Sequence, residues 1–210
     1  MLDLTAIPRL HDQATIIWHD ETHPSYRFSF PEAPAFADLV MANHRANFDL
    51  WHEEDLARDP SASDSDIACE KHRIDTLNQR RNDLVEQMDR WLLEFLDHEG
   101  ASLNPHSELN SETPGLILDR LSILALKIYH TREEAHRANA TDAHRRRNCM
   151  RLVLLEEQRT DLAGCLLSLW EQVLVGKRRF KLYRQMKMYN DPDLNPVLYR
   201  KNYTKNYTGS

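Results

Sequence analysis

Between Pro60 and Gly100 the chain contains neither proline nor glycine. An uninterrupted stretch of that length, entered from the polar linker SASDSD with Ser65 as a cap, predicts a helix from about Asp66 to His98, about 50 Å long. Its apolar residues Ile67, Ile74, Leu77, Leu84, Met88, Trp91 and Phe95 keep a seven-residue pattern, the spacing of a seam that faces other helices. Arg81 occupies a seam position. A helix of this kind cannot bury its seam alone, so the chain must lay further helices along it.

The remaining sequence supplies them. One helix is expected from about Pro34 to Arg58, where Asp59-Pro60 stops it. Another begins at Pro114 behind a Thr113 cap and ends near Asn139. A third runs from a Thr141 cap to Val175, with Gly176 as its stop and Arg159 interrupting a seam of Leu152, Leu155, Leu162, Leu166, Leu169 and Val173. Leu10, Ala14, Ile17 and Trp18 make a short amphipathic helix ahead of a loop carrying Pro24, Pro31 and Pro34. The expected fold is all-α: a short N-terminal helix and Pro-rich loop (1–33) packed outside a bundle of four long helices (34–175), followed by a basic helix at about Lys177 to Tyr189 and a flexible tail (176–210). Only five glycines and 29% charged residues agree with helix over sheet.

Several classes fall away. The N-terminus lacks a basic flank followed by an apolar core, and no window reaches 18 uncharged apolar residues, so a membrane span is not expected and the chain reads as cytoplasmic. Cys69, Cys149 and Cys165 have no paired metal-type spacing and read as plain thiols. Walker, GxGxxG, GxSxG and CxxC motifs are absent. The net charge of −6 is uneven, because the segment from Gly176 holds nine Lys or Arg against Asp191 and Asp193, +7 in all, leaving −13 on the rest. With a pI near 6.0, the basic tail reads as docking on its own acidic body, and nucleic acid is not the expected partner. Homo-oligomerisation stays open.

Polar residues interrupt the inward stripes of three helices. Asn47, Trp51, Glu54 and Arg58 share a face of the first long helix, bordered by His52 and Asp55. Asp75, Asn78, Asn82 and Glu86 form a ladder beside Arg81 on the second, and Asp119, Lys127 and His130 lie on the third with Arg120. Charges of this kind must pair or meet a ligand when buried. The helix start Thr113-Pro114-Gly115 reads as an open N-terminus suited to an anion. Glu54 and Asp55 offer hard oxygen ligands for magnesium or manganese, as in helical nucleotide pyrophosphohydrolases, whose second acidic pair has a counterpart in Glu86-x-x-Asp89, read as facing away from the seam.

The segments NFDLWHEEDLARDP, IDTLNQRRNDLVEQMDRWLL, NSETPGLILDRLSILALKIYH and YRQMKMYNDPDLNP resemble a bacterial family of unknown function, DUF4254, over about Phe36 to Tyr199. Arg81-Asn82-Asp83 and the run Asp119 to Leu124 are similar to that family's two signature motifs. The resemblance implies no activity. The pattern DRLSIL-x-x-LK is also similar to a motif in another uncharacterised bacterial family associated with envelope-polysaccharide gene neighbourhoods, which implies a link to glycan assembly.

The leading expectation is an inter-helix pocket for an anionic small molecule, a sugar phosphate or nucleotide sugar. Arg81, Arg120 and Lys127 would meet phosphate, Asn78 and Asn82 would meet hydroxyls, Arg58 and His130 would add further ligand contacts, and His52, Glu54 and Asp119 would transfer protons. Two alternatives stand beside it: a metal-dependent phosphohydrolase with its cation on Glu54 and Asp55, and a non-enzymatic protein-interaction scaffold.

Overall fold

A computed structural model describes residues 2–20, 33–101, 104–183, 193, 194 and 196. The Pro24–Pro31 loop, residues 184–192 with the Asn-Asp-Pro turn, and the KNYT repeats lie outside the described residues. Five helices account for nearly all regular structure: α1 (Ile7–His19), α2 (Pro34–Leu56), α3 (Asp64–His98), α4 (Pro114–His136) and α5 (Asp142–Leu174). Two short strands, β1 (Glu108–Leu109) and β2 (Arg178–Arg179), pair in parallel. The fold is all-α, and no described helix is long and apolar enough to cross a membrane.

The helix ends follow from local chemistry. Thr113 and Thr141 accept hydrogen bonds from the backbone N–H groups of Leu116 and His144. The cap of α3 is Ser63 rather than Ser65: Ser63 and Asp66 form a reciprocal capping box, in which each side chain accepts from the other's backbone N–H. Gly100 and Gly176, both at φ +69°, close α3 and α5. In each case the following residue reaches back into the helix, Ala101 N–H to the Leu96 carbonyl at 2.9 Å and Lys177 N–H to Gln172 at 2.8 Å.

The arrangement departs from a simple four-helix bundle because α4 is central. It packs against α1, α2, α3 and α5, and buries residues around most of its circumference, from Ile117 and Leu118 to Ala125 and Ile128. The short helix α1 is not an outside appendage. Ile7 joins the main core with Phe36, Met88, Leu92, Leu118 and Leu166, while Asp12 pairs with Arg159 at 2.7 Å and ties α1 to α5. Arg159 therefore interrupts the α5 seam to meet a partner.

The long seams are buried only in part. On α3 the buried residues begin at Ile74, whereas Ile67 is exposed. Asp89 lies inside this seam and is 2% exposed, correcting the reading that turned it away. On α5, Leu162, Leu166, Leu169 and Val173 are buried as expected, whereas Leu152 and Leu155 are only half-buried.

The chain after α5 also differs from expectation. Instead of a helix from Lys177, Arg178 and Arg179 pair with β1, Arg178 Nη1 donates to Asn110 Oδ1 at 2.7 Å, and Arg179 Nε donates to the Ser107 carbonyl at 2.9 Å. Phe180 then enters the core. This first part of the basic segment is structural.

Candidate functional site

The N-terminus of α4 is already occupied. Asp89 on α3 accepts from Gly115 N–H at 2.7 Å through Oδ1 and from the Thr113 hydroxyl through Oδ2. The expected open anion site is thus filled by the chain's own carboxylate, which satisfies the Gly115 N–H and complements the helix dipole. Burial pushes the Asp89 carboxyl up to about 6, against the opposing pull of those two hydrogen bonds. Gly115 is required here, since a Cβ at this position would sit 2.8 Å from both Asp89 Oδ1 and the Val85 carbonyl oxygen.

One turn further along α4, a buried polar network joins four helices. Asp119 Oδ1 accepts from Asn43 Nδ2 at 3.1 Å and from Asn47 Nδ2 at 2.9 Å, and Arg81 Nε on α3 approaches the same oxygen at 3.5 Å. Asn47 Nδ2 also donates to Ser122 Oγ at 3.0 Å. Ser122 Oγ meets His44 Nδ1 at 2.8 Å, and His44 Nε2 lies 3.0 Å from the His11 carbonyl. A carbonyl only accepts, which assigns the His44 proton to Nε2 and makes Ser122 the donor to Nδ1. Every contact then has one donor and one acceptor. Burial pushes His44 down to about 3, and holds His11, stacked on it at 4.5 Å, well below the ordinary histidine range.

Above this network, a cleft of about 340 Å³ opens between α2, α3 and α4. Its polar lining is Asn47, Glu54, Asp55, Arg58 and Arg81, with Trp51 as the aromatic wall. Arg58 is exposed and donates from Nη1 to Glu54 Oε2 at 2.6 Å as well as to the Glu54 carbonyl. Arg81 is half-buried, and its Nε has no hydrogen-bond partner among the described residues. The network behind the cleft holds Asp119 in place, and Asp119 in turn faces the Arg81 guanidinium.

The sequence-predicted residues do not all converge here. Consecutive helical residues diverge by about 100°, so Arg120 turns away from Asp119 and donates to Glu112 at 2.7 and 3.0 Å. It lines a separate cleft of about 570 Å³ against α5, together with Lys127, Gln158 and Asp161. Asn78 and Asn82 are half-buried on α3 and do not line the α2–α3–α4 cleft. His52 and His130 meet in a third place, beside His19 of α1. Glu54 and Asp55 are the carboxylates of the first cleft; no cluster of three or more His, Cys, Asp or Glu suited to a metal includes them among the described residues.

Sequence reasoning passed over Asn43, His44, His11 and His19. Asn43 and Asn47 one turn apart on an otherwise apolar stripe were an available signal. The histidines carried none, because the side chains they meet, Ser122 for His44 and Tyr129 for His19, belong to another helix.

A family model of proteins of unknown function, DUF4254, matches residues 37–182. The chain belongs to the DUF4254 family. The match takes in α2 through β2 and therefore the whole α2–α3–α4 cleft, while α1, with His11 and His19, lies before it. No curated protein and no solved structure matches this DUF4254 chain.

Proposed function

We propose that the α2–α3–α4 cleft binds a small anionic ligand of the sugar-phosphate or nucleotide-sugar class. The observation that carries this reading is Arg81: a guanidinium set in the cleft wall, facing a buried carboxylate that two amides hold in position. Such a guanidinium is fixed in orientation before a ligand arrives, and its planar fork suits phosphate oxygens. Trp51 supplies a face for a sugar or base ring, and Asn47, Glu54 and Asp55 supply hydrogen-bonding groups for hydroxyls.

In this reading Asp119 positions Arg81 and has no proton-transfer role, and Arg58 offers a second cation at the rim once it leaves Glu54. Arg120 and Lys127 belong to the other cleft and do not contribute. Binding is measured by calorimetry against a panel of sugar phosphates and nucleotide sugars at fixed ionic strength. Arg81→Ala is expected to weaken binding at least tenfold while Arg120→Ala leaves it unchanged. Equal loss in both variants, or full binding by a folded Arg81→Ala protein, would sink the assignment. A link to envelope glycan assembly is part of the same proposal and rests on the family resemblance.

A further inference from the structure

Trp51 joins the cleft to a second cluster. Its indole stacks on the imidazole of His130, with centroids 4.8 Å apart and planes 10° from parallel. Around that point three helices each deliver a histidine: His19 from the last turn of α1, His52 from α2 and His130 from α4. One ring nitrogen of each lies within 4.8 Å of the other two.

The tautomers follow from the neighbours. His19 Nδ1 lies 2.7 Å from the Thr15 carbonyl, His52 Nδ1 2.9 Å from the Phe48 carbonyl, and His130 Nδ1 3.0 Å from Glu133 Oε2. Carbonyl and carboxylate oxygens accept, so each ring keeps its proton on Nδ1 and presents a lone pair on Nε2. The Nε2 atoms of His19 and His130 are buried and have no hydrogen-bond partner among the described residues. Buried nitrogen lone pairs without a donor are unfavourable, and two of them, with a ring nitrogen of His52 within 4.8 Å of both, ask for a cation.

We propose that His19, His52 and His130 form a binding site for a divalent transition-metal cation, zinc being the one that three neutral imidazoles suit. Zinc binds histidine nitrogen at about 2.0–2.1 Å, and three nitrogens in tetrahedral array about it lie about 3.3 Å apart. The histidines, now within 4.8 Å, would draw together by up to about 1.5 Å on binding. Their second contacts are those that orient metal-bound histidines: two backbone carbonyls and, on His130, the Glu133 carboxylate. Magnesium and calcium, which take oxygen ligands, do not suit this donor set. Three protein ligands leave a fourth position for water or a small ligand. The opposing reading is an aromatic box in which neutral histidines simply pack, as His19 does on Tyr129 at 4.2 Å and on Phe48 at 4.8 Å; it predicts no metal affinity.

The full chain, stripped with chelator and returned to chelator-free buffer, is titrated with Zn²⁺ by calorimetry and with Co²⁺ by visible absorption. The expected result is one ion per chain and a tetrahedral cobalt spectrum without thiolate charge-transfer bands, which the exposed thiols Cys69, Cys149 and Cys165 would add if they were ligands. His19→Gln, His52→Gln and His130→Gln should each weaken binding more than tenfold, with folding checked by circular dichroism. The exposed His72 and His106 serve as controls and should tolerate Gln without effect. Glu133→Gln, on an exposed side chain that need not disturb the core, should weaken affinity about 10–100-fold. The proposal is overturned if folded wild-type protein takes up no stoichiometric ion, or if uptake survives the histidine variants and instead follows substitution of the cysteines by serine.

Discussion

Replacing Gly115 by alanine should destabilise the protein, although glycine to alanine in a helix ordinarily does the reverse. Removing glycine from a helix gains about 0.5–1 kcal/mol from lost backbone freedom in the unfolded chain. At Gly115 the new Cβ would lie 2.8 Å from the Val85 carbonyl oxygen, 2.8 Å from Asp89 Oδ1 and 2.9 Å from Asp89 Cγ. One of these contacts is backbone and the other two belong to a carboxyl that already bonds Gly115 N–H and Thr113, so neither neighbour yields without loss. Separating α3 from α4 costs about 1–3 kcal/mol as overpacking. Weakening hydrogen bonds to a charged group adds about 1.5–3 kcal/mol. The net loss is about 1.5–5.5 kcal/mol, or a fall of roughly 3–20 °C in Tm for a chain of this size. Gly164, in α5, is the control: nothing lies within 4 Å of its added Cβ, so Gly164→Ala should stabilise by up to about 1 kcal/mol. Thermal and urea unfolding of the two variants beside wild type gives both numbers. If Gly115→Ala raises Tm as Gly164→Ala does, the close α3–α4 approach and the Asp89 cap are not what hold this helix start.

Phe180→Ala should cost about 3–5 kcal/mol in urea unfolding, because Phe180 is 2% exposed within the main core despite its place in the basic segment. Asp119→Ala should cost about 3 kcal/mol or more, since it removes one acceptor from each of the Asn43 and Asn47 amides and the counter-ion from Arg81. His44, at about 3 in the folded protein against 6.5 when free, contributes stability that is complete above pH 6.5 and is lost as pH falls toward 3, about 5 kcal/mol in all. Asp89 acts with the opposite sign: raised from 3.8 to about 6, its contribution is complete below pH 3.8 and falls by about 3 kcal/mol as pH rises through 6. Urea titrations between pH 4 and 7 should therefore rise more steeply with pH in Asp89→Asn than in wild type, and an unchanged slope would contradict the assignment.

The helices were legible because their signals are local. Pro34, Thr113, Thr141, Gly100 and Gly176 act on the residues beside them, and the structure starts and stops its helices there. Even the Ser63 cap was readable from its Asp66 partner three positions on. The site was legible only as a set of residue types. Asp119 and Arg120 are adjacent in the sequence, yet Asp119 faces Arg81 behind one cleft while Arg120 lines another, and the anion expected at Gly115 is Asp89, which lies 26 residues earlier. The strand pairing found where the C-terminal helix was expected to begin joins Glu108 to Arg178 and Leu109 to Arg179, a match no local window contains.

Backbone propensity and hydrophobic period, which depend on near neighbours, determined that this chain is helical, where each long helix begins and ends, and which stripe of each is apolar. Only the tertiary structure decided which polar residues face one another. That choice depends on how α1, α2, α3 and α5 rotate and cross around α4, and rotating a helix by one residue, about 100°, exchanges a buried partner for a solvated one. The Asn43–Asp119–Arg81 contacts and the convergence of His19, His52 and His130 are products of that packing.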